Sequence, residues 1–140
     1  MSSQSIIFDF LKTDKYMALA TSSKTGKPEV ATVEYVIDGG ELLINSNINY
    51  RKYQNIIKNP FVAGVVTCKH EKTLQFDGMI KQLDGDAAEN AKQKMLEVEP
   101  DFMEFFNNPN TRFFRITPTW MRLRDFTQGK PLVTEFTPEG

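Results

Sequence analysis

Arg51 and Lys52 stand side by side within ELLINSNINYRKYQNIIKN, residues 41–59. Their types and position point to anion binding. The stretch reads as a short strand, a polar turn and a helix that opens beside the two cations. The first N–H groups of a helix have no internal partner, and the helix dipole is positive there. A cation in that first turn costs about 0.3–1 kcal/mol unless an anion compensates it. Asn45 and Ser46 add hydrogen-bond donors just before the turn, so the corner has the parts of a phosphate cradle. A solvated Arg-Lys pair beside a turn accounts for the same residues equally well.

Other candidates for chemistry are thinner. The single Cys68 and single His70 form a C-x-H pair, two ligands short of an ordinary structural zinc site. No Ser-His-Asp set can be assembled around a lone histidine in a charged loop. No metal site is therefore expected, and no residue stands out as a catalytic acid or base. Phe102, Phe105 and Phe106 cluster at helical spacing; core packing is the default for them, a lid or a dimer contact the alternative.

The elements that must position the corner follow from periodicity. Residues 3–13 carry Ile6, Ile7, Phe10 and Leu11 on one helical stripe, with Ser3 or Ser5 as cap. Residues 16–23, 29–37 and 41–46 read as three strands joined by the KTGKP turn and the Asp38-Gly39-Gly40 hairpin, an antiparallel meander. In the second strand Ala31, Val33, Tyr35 and Ile37 share an apolar face. Val30, Thr32, Glu34 and Val36 share a mixed one that faces solvent, a ligand or a partner.

The central helix starts near Asn49 or Tyr50, runs to about Lys58 and stops at Asn59-Pro60. Strands at 61–67 and 73–83 follow across a charged hairpin loop, and Gly78 marks a bulge or a close backbone approach. Asp86 is expected to cap the next helix, with Glu89 three residues on. A short helix DFMEFF comes next, then a strand at 111–116, a kink at Thr117-Pro118, and a last strand at 120–126. Residues 128–140 read as a tail draped over a neighbour.

Six antiparallel strands, with 111–126 counted as one kinked strand, favour a barrel in one domain spanning 1–140, mainly β with helices in the crossovers. A net charge of −1 gives no general attraction to nucleic acid or to an anionic membrane. One cysteine excludes an internal disulfide and fits a reducing compartment. No run is apolar enough to span a bilayer and the N-terminus lacks a signal-peptide pattern, so a cytoplasmic protein is expected.

Residues 28–62 resemble the pyridoxamine 5'-phosphate oxidase-like family. The shared pattern is a strand after Pro28, a hairpin, a strand ending at Ser46, then Arg51-Lys52 opening a helix that ends in Asn59-Pro60. The later strand with Gly78 fits as well, and the resemblance covers residues 10–126. It implies a flavin-binding split β-barrel and a homodimer with FMN at the subunit interface. Arg51 and Lys52 would hold the FMN phosphate, with Ser46 and Asn45 beside it. Thr32, Val33 and Glu34 would run past the ring. Thr73 matches a flavin-contacting Gln of the oxidase, and Trp120 is a further candidate, with a core or interface role as the alternative.

The departures concern substrate. Ala31 and Val36 stand where the oxidase has Arg and Lys, and no Arg occurs between Asp84 and Thr111 to grip a substrate phosphate. Arg122-Leu123-Arg124-Asp125 carries Arg124 where the oxidase has His. Vitamin B6 oxidation is not expected. The implied activity is FMN-dependent oxidoreduction, with NAD(P)H as donor and a small organic acceptor. A non-catalytic flavin or haem carrier, a stress-related protein and a deazaflavin reductase remain alternatives.

Overall fold

Two long strands form the spine of the molecule. In the computed structural model β6 (Lys72–Leu83) and β7 (Thr111–Asp125) pair antiparallel along nearly their whole length. The structure describes residues 1–69 and 71–139, with the side chains of residues 67–69 left aside. The Cys68-His70 pair and the middle of the charged hairpin loop therefore lie outside the described residues.

The remaining elements are α1 (Ser3–Leu11), β1 (Tyr16–Ser22), β2 (Pro28–Glu34), β3 (Val36–Asp38), β4 (Glu41–Asn47), α2 (Arg51–Ile56) and β5 (Phe61–Lys69). After β6 come α3 (Gly85–Val98), a 3-10 turn (Pro100–Phe102) and α4 (Met103–Phe106); β8 (Leu132–Phe136) follows β7. All pairings are antiparallel, and the strands lie in the order β2-β1-β5-β6-β7-β4-β3, with β8 added beside β7. The sheet curls into a half-barrel of mainly β architecture flanked by helices, as the alternating sequence implies.

Eight strands replace the expected six for local reasons. The second strand breaks at Tyr35, whose N–H still bonds to Lys15 O and whose hydroxyl donates to Leu11 O at 2.6 Å. Thr117-Pro118 does not end β7: Asp77 pairs with Trp120 and Gly78 with Pro118, so Thr119 is taken up as the extra residue of a bulge in β7. Part of the expected tail is a strand: residues 132–136 pair with Met121–Asp125 of the same chain.

Gly78 serves both expected purposes. It sits at the bulge, and a Cβ there would lie 2.9 Å from Ile116 Cγ2 and 3.0 Å from Thr117 O. The capping expectations shift by a residue or two. Ser2 Oγ accepts from Ser5 N–H at the start of α1, and Asp84 rather than Asp86 is the cap residue of α3, leaving Asp86 in its first turn.

The main core fills the curl with Ile7 and Leu11 from α1, Met17 and Leu19 from β1, and Leu74, Phe76, Phe114 and Ile116 from β6 and β7. A second cluster, including Leu43, Met95, Phe106 and Phe113, seats α3 and α4 on β4 and β7. Asp38 locks the β3–β4 hairpin to this side, bound by Lys94 of α3 and by Arg115 of β7 at 2.9 Å.

Candidate functional site

β2 is an edge strand, paired only with β1 among the described residues. In an antiparallel pair, alternate residues turn their backbone groups to the same neighbour. Because Tyr35 N–H bonds to Lys15 O, the backbone N–H and C=O of Thr32 and Glu34 point to the free edge. That edge is the split in the barrel, and across it stand β4 and α2.

A cavity of about 380 Å³ occupies the split. Thr32, Val33 and Glu34 form one wall, Asn45 and Ser46 the second, and Tyr50 and Lys52 one end. Tyr16 and the side chains of Phe102, Phe105 and Phe106 close the other side, so the lining is largely apolar. A second hollow of about 500 Å³ adjoins it and shares Tyr50 and Lys52. Asn49, Arg51, Glu29 and the edge residues Val30 and Ala31 line that hollow. A slot of this size with a few convergent polar groups has the usual character of a small-molecule site.

Each polar group in the slot is held by its element. Ser46 is 1% exposed, and its Oγ donates to Asn47 O at 3.1 Å, leaving its acceptor capacity unspent by that bond. Asn45 Nδ2 lies 3.8 Å from Met95 Sδ, a weak contact that leaves its amide oxygen uncommitted to that neighbour. Lys52 Nζ sits 4.6 Å from the centre of the Tyr50 ring. Burial pushes the Lys52 ammonium below its ordinary range, and among the described residues no carboxylate lies within ion-pair distance of it. An anion placed there would restore the lost solvation. Arg51 is exposed and pairs loosely with Glu29, at 3.4 Å.

α2 is shorter than expected, six residues instead of about nine, and no side chain caps it. Its position comes from packing. Ile56 enters the main core, and Asn55 Nδ2 donates to Thr21 Oγ1 at 3.0 Å, both groups buried. Ile57, at the C-terminal cap, is half exposed.

Six of the nine residues named from sequence line the cavity: Thr32, Val33, Glu34, Asn45, Ser46 and Lys52. Arg51 lines the adjoining hollow. Thr73 and Trp120 lie elsewhere. They sit on β6 and β7, opposite Arg124 and Asp77, on the face turned away from the core residues Leu74, Phe76 and Met121. Tyr16 and Tyr50 belong to the lining and were not singled out from sequence. Tyr16 is opposite Glu34 only through the β1–β2 register, which no local pattern announces.

Comparison with known proteins places this geometry. No curated protein sequence matches the chain. Among solved structures, the haem storage protein HutZ from Vibrio cholerae is 22% identical, with a TM-score of 0.68 over 84% of this chain and 91% of that one. A haem-binding protein from Mycobacterium smegmatis is 14% identical, with a TM-score of 0.83 over 98% of this chain and 58% of that one. PhzG from Burkholderia lata, solved with tetrahydrophenazine-1-carboxylic acid, is 12% identical, with a TM-score of 0.68 over 98% and 93%. At these identities the structures share a fold with this chain. The sequence profile of the pyridoxamine 5'-phosphate oxidase family matches residues 6–125, from the first helix through the last residue of β7, and the chain belongs to that family.

Proposed function

We propose that the chain is an FMN-binding flavoprotein that works as a small oxidoreductase. The observation that carries this reading is the union of an apolar slot with a basic hollow through Tyr50 and Lys52. A flat ring with a phosphate on a flexible arm needs both, in that order. Arg51 and Lys52 hold the phosphate, and Ser46 and Asn45 supply polar contacts between phosphate and ring. The free backbone groups of Thr32 and Glu34 offer donors and acceptors to the ring edge, and Val33 and the phenylalanines exclude water from its faces. FMN, when bound, supplies hydride and electron transfer. The donor in this reading is NAD(P)H and the acceptor a small organic compound.

The reading includes a homodimer. The outward face of β1, β2 and β5 carries Ala18, Ala20, Ala63 and Val65, flanked by Val30 at 70% and Phe61 at 66% exposure. A second copy packed on this face covers it, and Thr73 and Trp120 from that copy reach the split. Light scattering at the monomer mass would refute the dimer.

The direct test is the absorption spectrum of the purified protein together with FMN fluorescence quenching. FMN is expected to bind, and Arg51→Ala with Lys52→Ala to weaken it by about tenfold or more, the worth of charge-assisted hydrogen bonds to phosphate. Absence of quenching removes the reading. Steady-state oxidation of NADH or NADPH with an added acceptor then separates an enzyme from a carrier. The haem proteins among the similar structures favour a second reading, a haem-binding protein. A Soret band on haem addition, with no uptake of FMN, would select it.

A further inference from the structure

β2 runs from the basic hollow into the apolar slot. Glu29, Val30 and Ala31 line the hollow, and Thr32, Val33 and Glu34 line the slot. Glu29 lies 3.4 Å from Arg51. At the usual rise of an antiparallel strand, Glu34 stands about 17 Å farther along. It is the last residue of β2 and lies opposite Tyr16 of β1. The charged and titratable groups that act on Glu34 are Glu99, Lys15 and Tyr16. Lys15 and Glu99 form an ion pair at 2.7 Å, so their charges offset each other. Glu34 is half-buried and has no ion-pair partner among the described residues. When ionised, it leaves an uncompensated negative charge in the slot, far from Arg51.

We infer that Glu34 tunes the flavin: its carboxylate weakens the hold on reduced FMN relative to oxidised FMN. The inference rests on the reading of the cavity as the flavin slot and adds a control on its redox balance. A hydride from the NAD(P)H of that reading brings two electrons and one proton, and NAD(P)+ departs. The ring, neutral when oxidised, then carries one negative charge near neutral pH. The phosphate does not change, so Arg51 and Lys52 hold both forms alike. A charge beside the ring is what separates them. The largely apolar lining keeps the local dielectric low, which strengthens the repulsion between carboxylate and reduced ring. The same repulsion acts on the Glu34 proton. Burial first, then Glu99, push this carboxyl above its ordinary range, with Lys15 and Tyr16 acting the other way. A negative ring holds the proton more tightly still. Between the value with oxidised FMN and the value with reduced FMN, reduction therefore draws one further proton from solvent onto Glu34. Above both values the carboxylate is charged throughout and the preference is complete. Below both it is neutral and the preference is lost.

The test reads the affinity of oxidised FMN by fluorescence quenching. It also reads the midpoint potential of the FMN-loaded protein by dithionite titration against a reference dye. Above neutral pH, Glu34→Gln is expected to raise the ratio of reduced to oxidised affinity about tenfold, the effect of one partly screened charge. For a two-electron couple that is a rise of about 30 mV. The difference from wild type is expected to vanish in acid. Glu34→Asp keeps the charge and is expected to stay near the wild-type potential. Glu29→Gln, beside Arg51, is expected to tighten both forms alike and leave the potential where it was. An unchanged potential in Glu34→Gln, a shift that persists in acid, or an equal shift in Glu34→Asp or Glu29→Gln would overturn the inference. A wild-type protein that does not quench FMN overturns the flavin reading, and the inference with it. One that binds FMN with a potential indifferent to Glu34 overturns the inference alone.

Discussion

The Asn55–Thr21 hydrogen bond makes a sharp prediction about how the cation-bearing helix is held. α2 has six residues and no side-chain cap, too short to be stable by itself. Its tertiary fastenings include Ile56 in the core, Tyr53 against Phe114, and the 3.0 Å bond from Asn55 Nδ2 to Thr21 Oγ1, between residues 9% and 3% exposed. Thr21→Val keeps the shape and removes the acceptor, leaving a buried amide unpaired at a cost of about 1–3 kcal/mol. With a urea slope near ~2 kcal/mol/M for a chain of this size, the unfolding midpoint should fall by about 0.5–1.5 M. Adding Asn55→Leu removes the orphaned donor as well, and apolar replacement of both partners is close to neutral. The double variant should therefore be more stable than the sum of the single changes, and even more stable than Thr21→Val alone. The assay is urea denaturation of the wild type, both single variants and the double variant. A Thr21→Val midpoint within ~0.2 M of wild type, well below the smallest expected shift, would refute the reasoning. Strict additivity of the single changes would refute it too.

Two further predictions concern packing and pH. Gly64→Ala puts a Cβ about where Phe76 Cε1 and Cζ would lie at 2.4 and 2.5 Å, with Phe76 fully buried. Overpacking of this kind costs about 1–3 kcal/mol, so the melting temperature should drop, and Phe76→Leu in the same chain should recover part of the loss. A Gly64→Ala protein that melts with the wild type contradicts it. Asp38 titrates below its ordinary range, held chiefly by the hydrogen bond from Lys94 and also by Arg115. A depressed carboxyl contributes stability above its unfolded value of about 3.9 and loses it as the pH falls through the folded value. The deficit of Asp38→Asn against wild type should therefore be flat near neutrality and shrink in acid. A deficit that grows in acid in urea midpoints would show the sign to be wrong. Glu34 has the opposite sign, raised first by desolvation. Its contribution is present below its unfolded value of about 4.3 and is lost as the pH rises through the folded value, so Glu34→Gln should gain on wild type toward neutral pH.

Much of the fold was legible along the chain because its signals are local. Alternation in residues 29–37 assigned Val33 and Tyr35 to the core, and both are buried. Gly78 announced its bulge and its close approach because a missing Cβ has few other uses inside a strand. Local signals failed where a partner decides the outcome. Residues 132–136 carry few buried side chains and read as a tail, yet β7 offers them a free edge to pair with. α2 is shorter than its sequence pattern implies because packing, not propensity, holds that helix.

By itself the sequence determined the residue types of the corner: two adjacent cations after a polar turn, Asn45 and Ser46 before them, and Thr32 and Glu34 on the mixed face of the second strand. Spacing along one segment is enough for that, since these residues are neighbours in the chain or alternate on one strand. Only the tertiary structure decided what stands opposite them. The curl of the sheet brings β2 to face β4, and residues 100–106, some seventy positions from Thr32, lay three phenylalanines over the gap between them. A cavity is made by surfaces that meet from distant parts of the chain. Its walls, with Lys52 and Glu34 both among them, exist only once the sheet has curled.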